Sequence, residues 1–399
     1  MVGSSDQLCG GKVAIVSATF APITGGMAQA TYYHAALLSQ YGHDVTLFTQ
    51  SGFSDSNSQM NFDKQFSFRI TRLDPVYSKG FAAYTPQLKS LLKGFDCILL
   101  EYPAYGLAEA SYKASKVYGI PLLMYYHMDN VADGVKGTVF RIYKKLFLPK
   151  ILRHSSEILV SSIEYAESSN LAPYMKEISG KISVAPLGVD THRFYQAGKK
   201  PELLRRHNIK QTETIIGFVG GLDTAHYFKG VPVLLQAIKK LKNYHPNVPF
   251  RCIIAGAGDL RDPYIKRSQE LGVIDNVLFP GRISEGELAQ YYQLFDLFVL
   301  PSIDSSEAFG LVILEAMATA TPVVVSNLPG PASLVQNEET GFVVPPSDVD
   351  RLATALFKLL KDPYLRAEMG NKAHSVIKEK YQWQNVGKKL HECVSKYSK

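Results

Sequence analysis

The feature that most constrains this chain is an alternation, run through twice, of short apolar β-branched stretches with longer segments of helical length. In the first half the stretches are KVAIVSA from Lys12, DVTLFT from Asp44, FSFRITRL from Phe66, CILLEY from Cys97, PLLMYYH from Pro121, EILVSS from Glu157 and KISVAP from Lys181. Helical segments such as Gly26 to Tyr41 and Tyr105 to Tyr118 lie between most of them. This alternation predicts an α/β fold with parallel strands and helices on both faces of the sheet. The series then restarts with TIIGFVGG from Thr214, RCIIAGAG from Arg251, NVLFPG from Asn276, LFVLPS from Leu297, PVVVSN from Pro322 and GFVVPP from Gly341. Between the two series lies PLGVDTHRFYQAGKKPELLRR from Pro186, rich in Pro, Gly and charge, which reads as a hinge. Two doubly wound domains follow, with the boundary near Asp190. Ligands of such sheets sit beyond the carboxyl ends of the strands, so the chemistry is expected in the cleft between the domains.

Composition narrows the class. The 399 residues are 46% hydrophobic and 20% charged, ordinary globular usage that excludes disorder, collagen and coiled coil. No stretch approaches the roughly 18 consecutive apolar residues of a membrane span. The opening MVGSSDQLCGGK lacks a basic segment followed by an apolar one, so no secretory signal is read, and a cytoplasmic enzyme is expected. Four cysteines without a C-x-x-C pair do not make a disulfide framework, and Cys97 and Cys252 sit in apolar runs as core residues. A net charge of +7 suits anionic small ligands or an anionic lipid surface and is too mild to argue for nucleic acid.

The most informative segment is SSEAFGLVILEAMATATPVVVSN from Ser305. Glu307 and Glu315 flank Phe309, Gly310 and Leu311, which open a helix whose unbonded amides favour a phosphate. Glu315, about one turn further in, is placed to accept from two neighbouring hydroxyls such as those of a ribose. Glu307, on the preceding loop, faces whatever hangs from the far phosphate. An arbitrary glutamate pair is simply solvated surface; the aligned glycine and the buried strand that follows argue otherwise here. In VGGLDTAHYFKGVPVLLQA from Val219, two glycines end a strand and Lys229 stands at the start of a helix with Pro232 in its first turn. Glycine allows close approach of backbone to a phosphate, and lysine supplies a point charge. The D-x-D string Asp348 to Asp350 reads as a helix-capping segment rather than a metal site.

The strings E-AFGLVILEAMA-x-x-x-PVV, F-KG, PLGVD and P-x-TGGM near the start resemble the retaining glycosyltransferases of family four, which have the GT-B fold of two facing Rossmann-like domains. The resemblance covers nearly the whole chain. It implies an acceptor-binding domain over 1–190, a nucleotide-sugar-binding domain over 191–373, and a last helical segment, 374–399, that crosses back to the first domain. It implies transfer of a sugar, with retention, from a nucleotide sugar to an acceptor; the expectation is a hexosyl group moved from a UDP- or GDP-linked sugar to a lipid-linked or glycan acceptor in cell-envelope polysaccharide or glycolipid synthesis. No cofactor and no metal are implied. By matching position, Glu315 holds the donor ribose, Glu307 the donor sugar hydroxyls, and Lys229 with the amides of Phe309, Gly310 and Leu311 the leaving diphosphate. Gly25 and Gly26 match the glycine loop that closes over diphosphate or acceptor, and His127 a histidine beside the donor sugar. The donor-binding expectation extends to Gly221, Arg282 and Ile283. The family commonly has arginine where this chain has Gly221, leaving His226, Arg261 or Arg282 as replacements. Two rival readings remain: a catalytically weak nucleotide-sugar-binding regulator, and a GT-B sugar-nucleotide epimerase.

The stretch KGTVFRIYKKLFLPKILRHSS, Lys136 to Ser156, holds six basic and no acidic residues among Phe, Ile, Tyr and Leu. It reads as an anionic-membrane contact through Lys136 to Arg153 on the inner face, or as a helix whose apolar stripe packs on the sheet and whose lysines are solvated. Trp383 reads as a packing anchor.

Overall fold

The computed structural model describes residues 10–23, 25–51, 56–79, 81–130 and 134–398. Cys9, Thr24 of the TGGM string and the side chain of Lys136 lie outside the described residues. The chain forms two compact units, one of residues up to Leu187 together with Trp383 onward, the other of Gly188–Gln382.

In the first unit β1 (Gly10–Ser17), β2 (His43–Gln50) and β3 (Arg69–Leu73) are followed by a small hairpin of β4 (Tyr77–Lys79) and β5 (Ala82–Tyr84). The main sheet continues with β6 (Cys97–Tyr102), β7 (Leu122–Tyr126), β8 (Glu157–Val160) and β9 (Ile182–Val184). Its order is β3-β2-β1-β6-β7-β8-β9, with every neighbouring pair parallel. All residues of β6, β7 and β8 are buried, which is why these strands read as unbroken apolar runs: a sheet covered by helices on both faces has no wet side for an alternating pattern. The β4–β5 hairpin escaped sequence reading because strands of three residues are too short to display a period.

The second unit repeats the plan with β10 (Thr214–Val219), β11 (Phe250–Ala255), β12 (Val277–Gly281), β13 (Leu297–Leu300), β14 (Val323–Ser326) and β15 (Gly341–Val344). Its order is β12-β11-β10-β13-β14-β15, again all parallel. In each unit the direction of winding reverses beside the first strand, between β1 and β6 and between β10 and β13. At such a reversal the loops leaving the two strands diverge to opposite faces and open a crevice at the carboxyl edge.

The unit limits differ from the sequence expectation of 190/191 and 373/374. The helix Pro363–Val376 stays with the second unit: His374 Nδ1 lies 2.9 Å from the Ala318 carbonyl, and the chain passes so close at Gly370 that an added Cβ would meet the Ala320 carbonyl oxygen at 2.1 Å. The Val189 amide donates to the Tyr381 carbonyl at 2.8 Å, so residues just past Leu187 belong there too. Only from Trp383 does the chain pack in the first unit, where helix Trp383–Ser395 lies on helix Gly26–Gln40. Trp383 stacks on Tyr33 with centroids 4.3 Å apart, and His391 on Tyr41 at 4.4 Å. Lys396 pairs with the buried Glu157 at 3.1 Å. Among the described residues no helix is long and apolar enough to cross a membrane.

Candidate functional site

The loops leaving β10 and β13 carry the second unit's charged residues of interest. After β10 the chain runs through Gly220 and Gly221 into a 3-10 turn, Thr224–Lys229, and then the helix Val231–Tyr244. Lys229 therefore closes the short turn instead of starting the long helix, because Gly230 takes the left-handed conformation between them. The turn is tied to the neighbouring loop by the Ile303 amide, which donates to the Phe228 carbonyl at 2.7 Å. Lys229 Nζ then donates to Glu307 Oε2 at 2.8 Å, and Ser302 Oγ donates to the same oxygen at 3.0 Å. The two side chains are only 11% and 9% exposed, so their attraction is screened far less than that of a surface pair. The lysine stem lies directly over Gly220: a Cβ there would meet Lys229 Cδ at 2.6 Å. Glu307 Oε1 makes no hydrogen bond among the described residues.

Three residues past Glu307, Gly310 at φ 90° caps the helix Leu311–Ala318, a conformation that β-carbon sterics deny to most residues. The amides of Phe309, Gly310 and Leu311 find no acceptor among the described residues, leaving the helix start able to receive an anion. Glu315 is buried in the second turn, and its Oε2 accepts from the Tyr292 hydroxyl at 2.6 Å. Burial pushes the Glu315 carboxyl up to about 7, with the Tyr292 hydroxyl and the Arg193 charge offsetting it only in part.

The space beside Gly221 is occupied. A Cβ at this position would meet His226 Nδ1 at 2.6 Å and Asp223 Oδ2 at 3.1 Å, so the imidazole fills the place a longer side chain at 221 would enter. Asp223 holds that ring by contacts of 2.8 and 2.9 Å to Nδ1. Arg261 is instead spent on the Phe279 carbonyl, 2.8 Å from Nη2. Arg282 and Ile283 follow β12, two strands away from β10 at the same carboxyl edge.

In the first unit Gly25 and Gly26 are exposed at the start of helix Gly26–Gln40, directly after the β1 loop. His127 follows β7, its amide donating to the Tyr102 carbonyl at 2.9 Å. Two residues that sequence reading passed over join it. Glu101 of β6 is fully buried; its Oε2 lies 2.5 Å from His127 Nε2 and its Oε1 2.9 Å from His34 Nδ1. Burial acts to raise this carboxyl, and the two imidazoles outweigh it, holding the group down to about 2, while burial lowers His127. The three residues are also the one cluster, among those described, with the side-chain types and spacing of a metal site. The D-x-D string contains none: Asp348 caps helix Val349–Lys361 by accepting from the Arg351 amide, and Asp350 pairs with Lys240.

Doubly wound units of this pattern occur in solved glycosyltransferases. Anabaena HepE, crystallised with UDP, superposes with a TM-score of 0.76 at 17% identity, over 96% of this chain and 100% of that one. That likeness gives the class as GT-B. Residues 24–193 match the family described as Glycosyltransferase Family 4, and residues 199–376 that described as Glycosyl transferases group 1. The chain belongs to the family-four glycosyltransferases. It is 32% identical to D-inositol 3-phosphate glycosyltransferase of Corynebacterium urealyticum over 60% of this chain and 56% of that one. It is 28% identical to the GDP-mannose-dependent phosphatidylinositol monomannoside mannosyltransferase of Mycobacterium tuberculosis over 53% and 55%. The chain spans about half the length of these two relatives.

Proposed function

We propose that this glycosyltransferase moves a hexosyl group, with retention and without a metal, from a UDP- or GDP-linked sugar to a lipid-linked or glycan acceptor. The observation that carries the reading is the largely buried Lys229–Glu307 pair beside the unbonded amides at Gly310, with Glu315 one turn beyond. A diphosphate on those amides brings its charge to Lys229, whose Nζ neutralises the phosphate oxygen as the glycosidic bond breaks. Glu307 Oε1 accepts from a hydroxyl of the sugar and Glu315 from the ribose, and His127 is assigned to the sugar by its match to the family's histidine. The leaving phosphate oxygen takes the acceptor's proton on the same face, so no carboxylate acts as nucleophile. The relatives that carry inositol phosphate and phosphatidylinositol mannoside in their names support an acceptor with a lipid or polyol headgroup. Thermal melts against a panel of nucleoside diphosphate sugars test the donor: one sugar nucleotide should raise the melting temperature, be hydrolysed slowly alone, and resist loss of activity in chelator. Binding without any turnover would replace the proposal by the regulator, and a free epimerised sugar by the epimerase.

A membrane-facing surface is part of the same proposal. Along Gly134–Leu146 and Leu148–His154, Ile142, Leu146 and Phe147 are 54%, 51% and 38% exposed, next to exposed Arg141, Lys145, Lys150 and Arg153. A stripe packed on the sheet would have hidden those three apolar side chains. Apolar and cationic groups exposed together suit the boundary of an anionic bilayer. The protein is expected to co-sediment with phosphatidylglycerol vesicles, to detach as salt rises, and to lose binding in the Ile142→Glu, Leu146→Glu double variant. Sedimentation that ignores salt and both substitutions would remove this surface.

A further inference from the structure

The His34–Glu101–His127 cluster joins three elements of the first unit: helix Gly26–Gln40, the end of β6 and the residue after β7. Side-chain exposures are 1% for His34, 0% for Glu101 and 5% for His127. A carboxylate so enclosed persists only if strong donors replace its water. Ionised Glu101 can only accept, so each imidazole must turn a protonated nitrogen toward it: Nδ1–H from His34 and Nε2–H from His127. In a ring that carries one proton, the second nitrogen is then a bare lone pair. His34 fits this assignment, because its Nε2 is buried without a partner, and an unpaired lone pair there is far less costly than an unpaired charged N–H. The rings are held in place by Tyr125, 4.7 Å from His34 and 4.4 Å from His127, and His34 also meets the edge of Trp383 at 6.1 Å.

We infer that Glu101, backed by His34, is a positioning residue that locks His127 as the Nε2–H tautomer, so that His127 Nδ1 is presented as an acceptor for a sugar hydroxyl. The assignment of the sugar rests on the proposed function; the tautomer does not. The same chain of bonds fixes His127 relative to the helix that begins at Gly26, so the glycine loop and the histidine are set by one buried carboxylate. A metal ion is a poorer occupant of this cluster. Two ligands on one tetrahedral zinc stand about 3.3 Å apart, whereas these oxygen to nitrogen distances are 2.9 and 2.5 Å, those of charge-assisted hydrogen bonds.

The test is nitrogen-15 NMR of the imidazoles in the full chain without substrate, followed by kinetics. Wild type is expected to show His127 protonated at Nε2 and bare at Nδ1, unchanged by added zinc. Glu101→Gln offers one acceptor and one donor, so one of the two histidines should switch tautomer. Its kcat/KM with the sugar nucleotide should fall by about tenfold or more, the weight of one hydrogen bond, while affinity for the nucleoside diphosphate alone stays unchanged. His127 protonated at Nδ1 in wild type, zinc-dependent shifts of both rings, or an unaltered kcat/KM in Glu101→Gln would each overturn the inference. Should Glu101→Gln not fold, the wild-type tautomer and zinc measurements still decide it. Because the tautomer is read with no substrate present, its failure is distinct from a failure to find any sugar nucleotide turned over by wild type.

Discussion

Replacing Lys229 by alanine is expected to lower turnover by roughly 10²-fold or more, the scale seen when one preorganised group facing a developing oxyanion is removed. The lysine is tied to the loop before the helix start at Gly310 through its bond to Glu307, and partial burial keeps its field strong. The same substitution strips Glu307 of its counter-charge and leaves it only the Ser302 hydroxyl. Breaking one side of a largely buried pair costs about 3 kcal/mol or more, so Lys229→Ala should also melt earlier. Adding Glu307→Gln to that variant should restore the melting temperature without restoring turnover. Steady-state rates and thermal melts on the single and double variants separate the two effects. Near-normal turnover in Lys229→Ala would end its assignment to the diphosphate.

Glu315→Gln is expected to make the protein more stable and a weaker nucleotide binder at once. Burial holds the Glu315 carboxyl up at about 7 against an ordinary 4.5, so folding favours its neutral form. The sign follows from linkage: the stability it contributes is fully present below 4.5 and is lost as pH rises through about 7. Above that, the wild type carries a penalty on the order of 3 kcal/mol that a neutral amide avoids, while still accepting from Tyr292. Melting temperatures of the unliganded pair should coincide near pH 4 and separate by pH 8, the variant higher. Nucleoside diphosphate affinity should move oppositely, falling by about tenfold at pH 8 because an amide oxygen is a weaker acceptor for ribose hydroxyls than a carboxylate. A pH-independent gap would mean that Glu315 is already ionised at no cost. The raised carboxyl marks a site in which stability is given up to hold an acceptor ready.

Much of the second unit's site was legible because it is local. Glu307, Gly310 and Glu315 lie within nine consecutive residues, and a glycine before an apolar helix announces both the turn and the amides. Lys229 was legible as a charge, near a glycine pair, that meets Glu307 around a pyrophosphate, but not as a direct ion pair with that residue 78 positions away. Glu101 was passed over because a single acidic residue near the end of CILLEY looks no different from a solvated strand end. Nothing local says that His34, 67 positions earlier, and His127 close around it. Likewise Gly221 looked like a missing cation, and only the packed chain shows the His226 ring in the space beside it.

By itself the amino-acid order determined two doubly wound α/β units, the approximate places of their buried strands, and the loops that carry the candidate site. These depend on side-chain period, turn chemistry and helix starts, all set within a few residues. The tertiary structure alone decided which charge neutralises which, that Glu315 is held near neutrality, and that a buried glutamate orients His127. Those outcomes depend on strand order and on the removal of water, which bring distant residues together and reprice every ionised group at once.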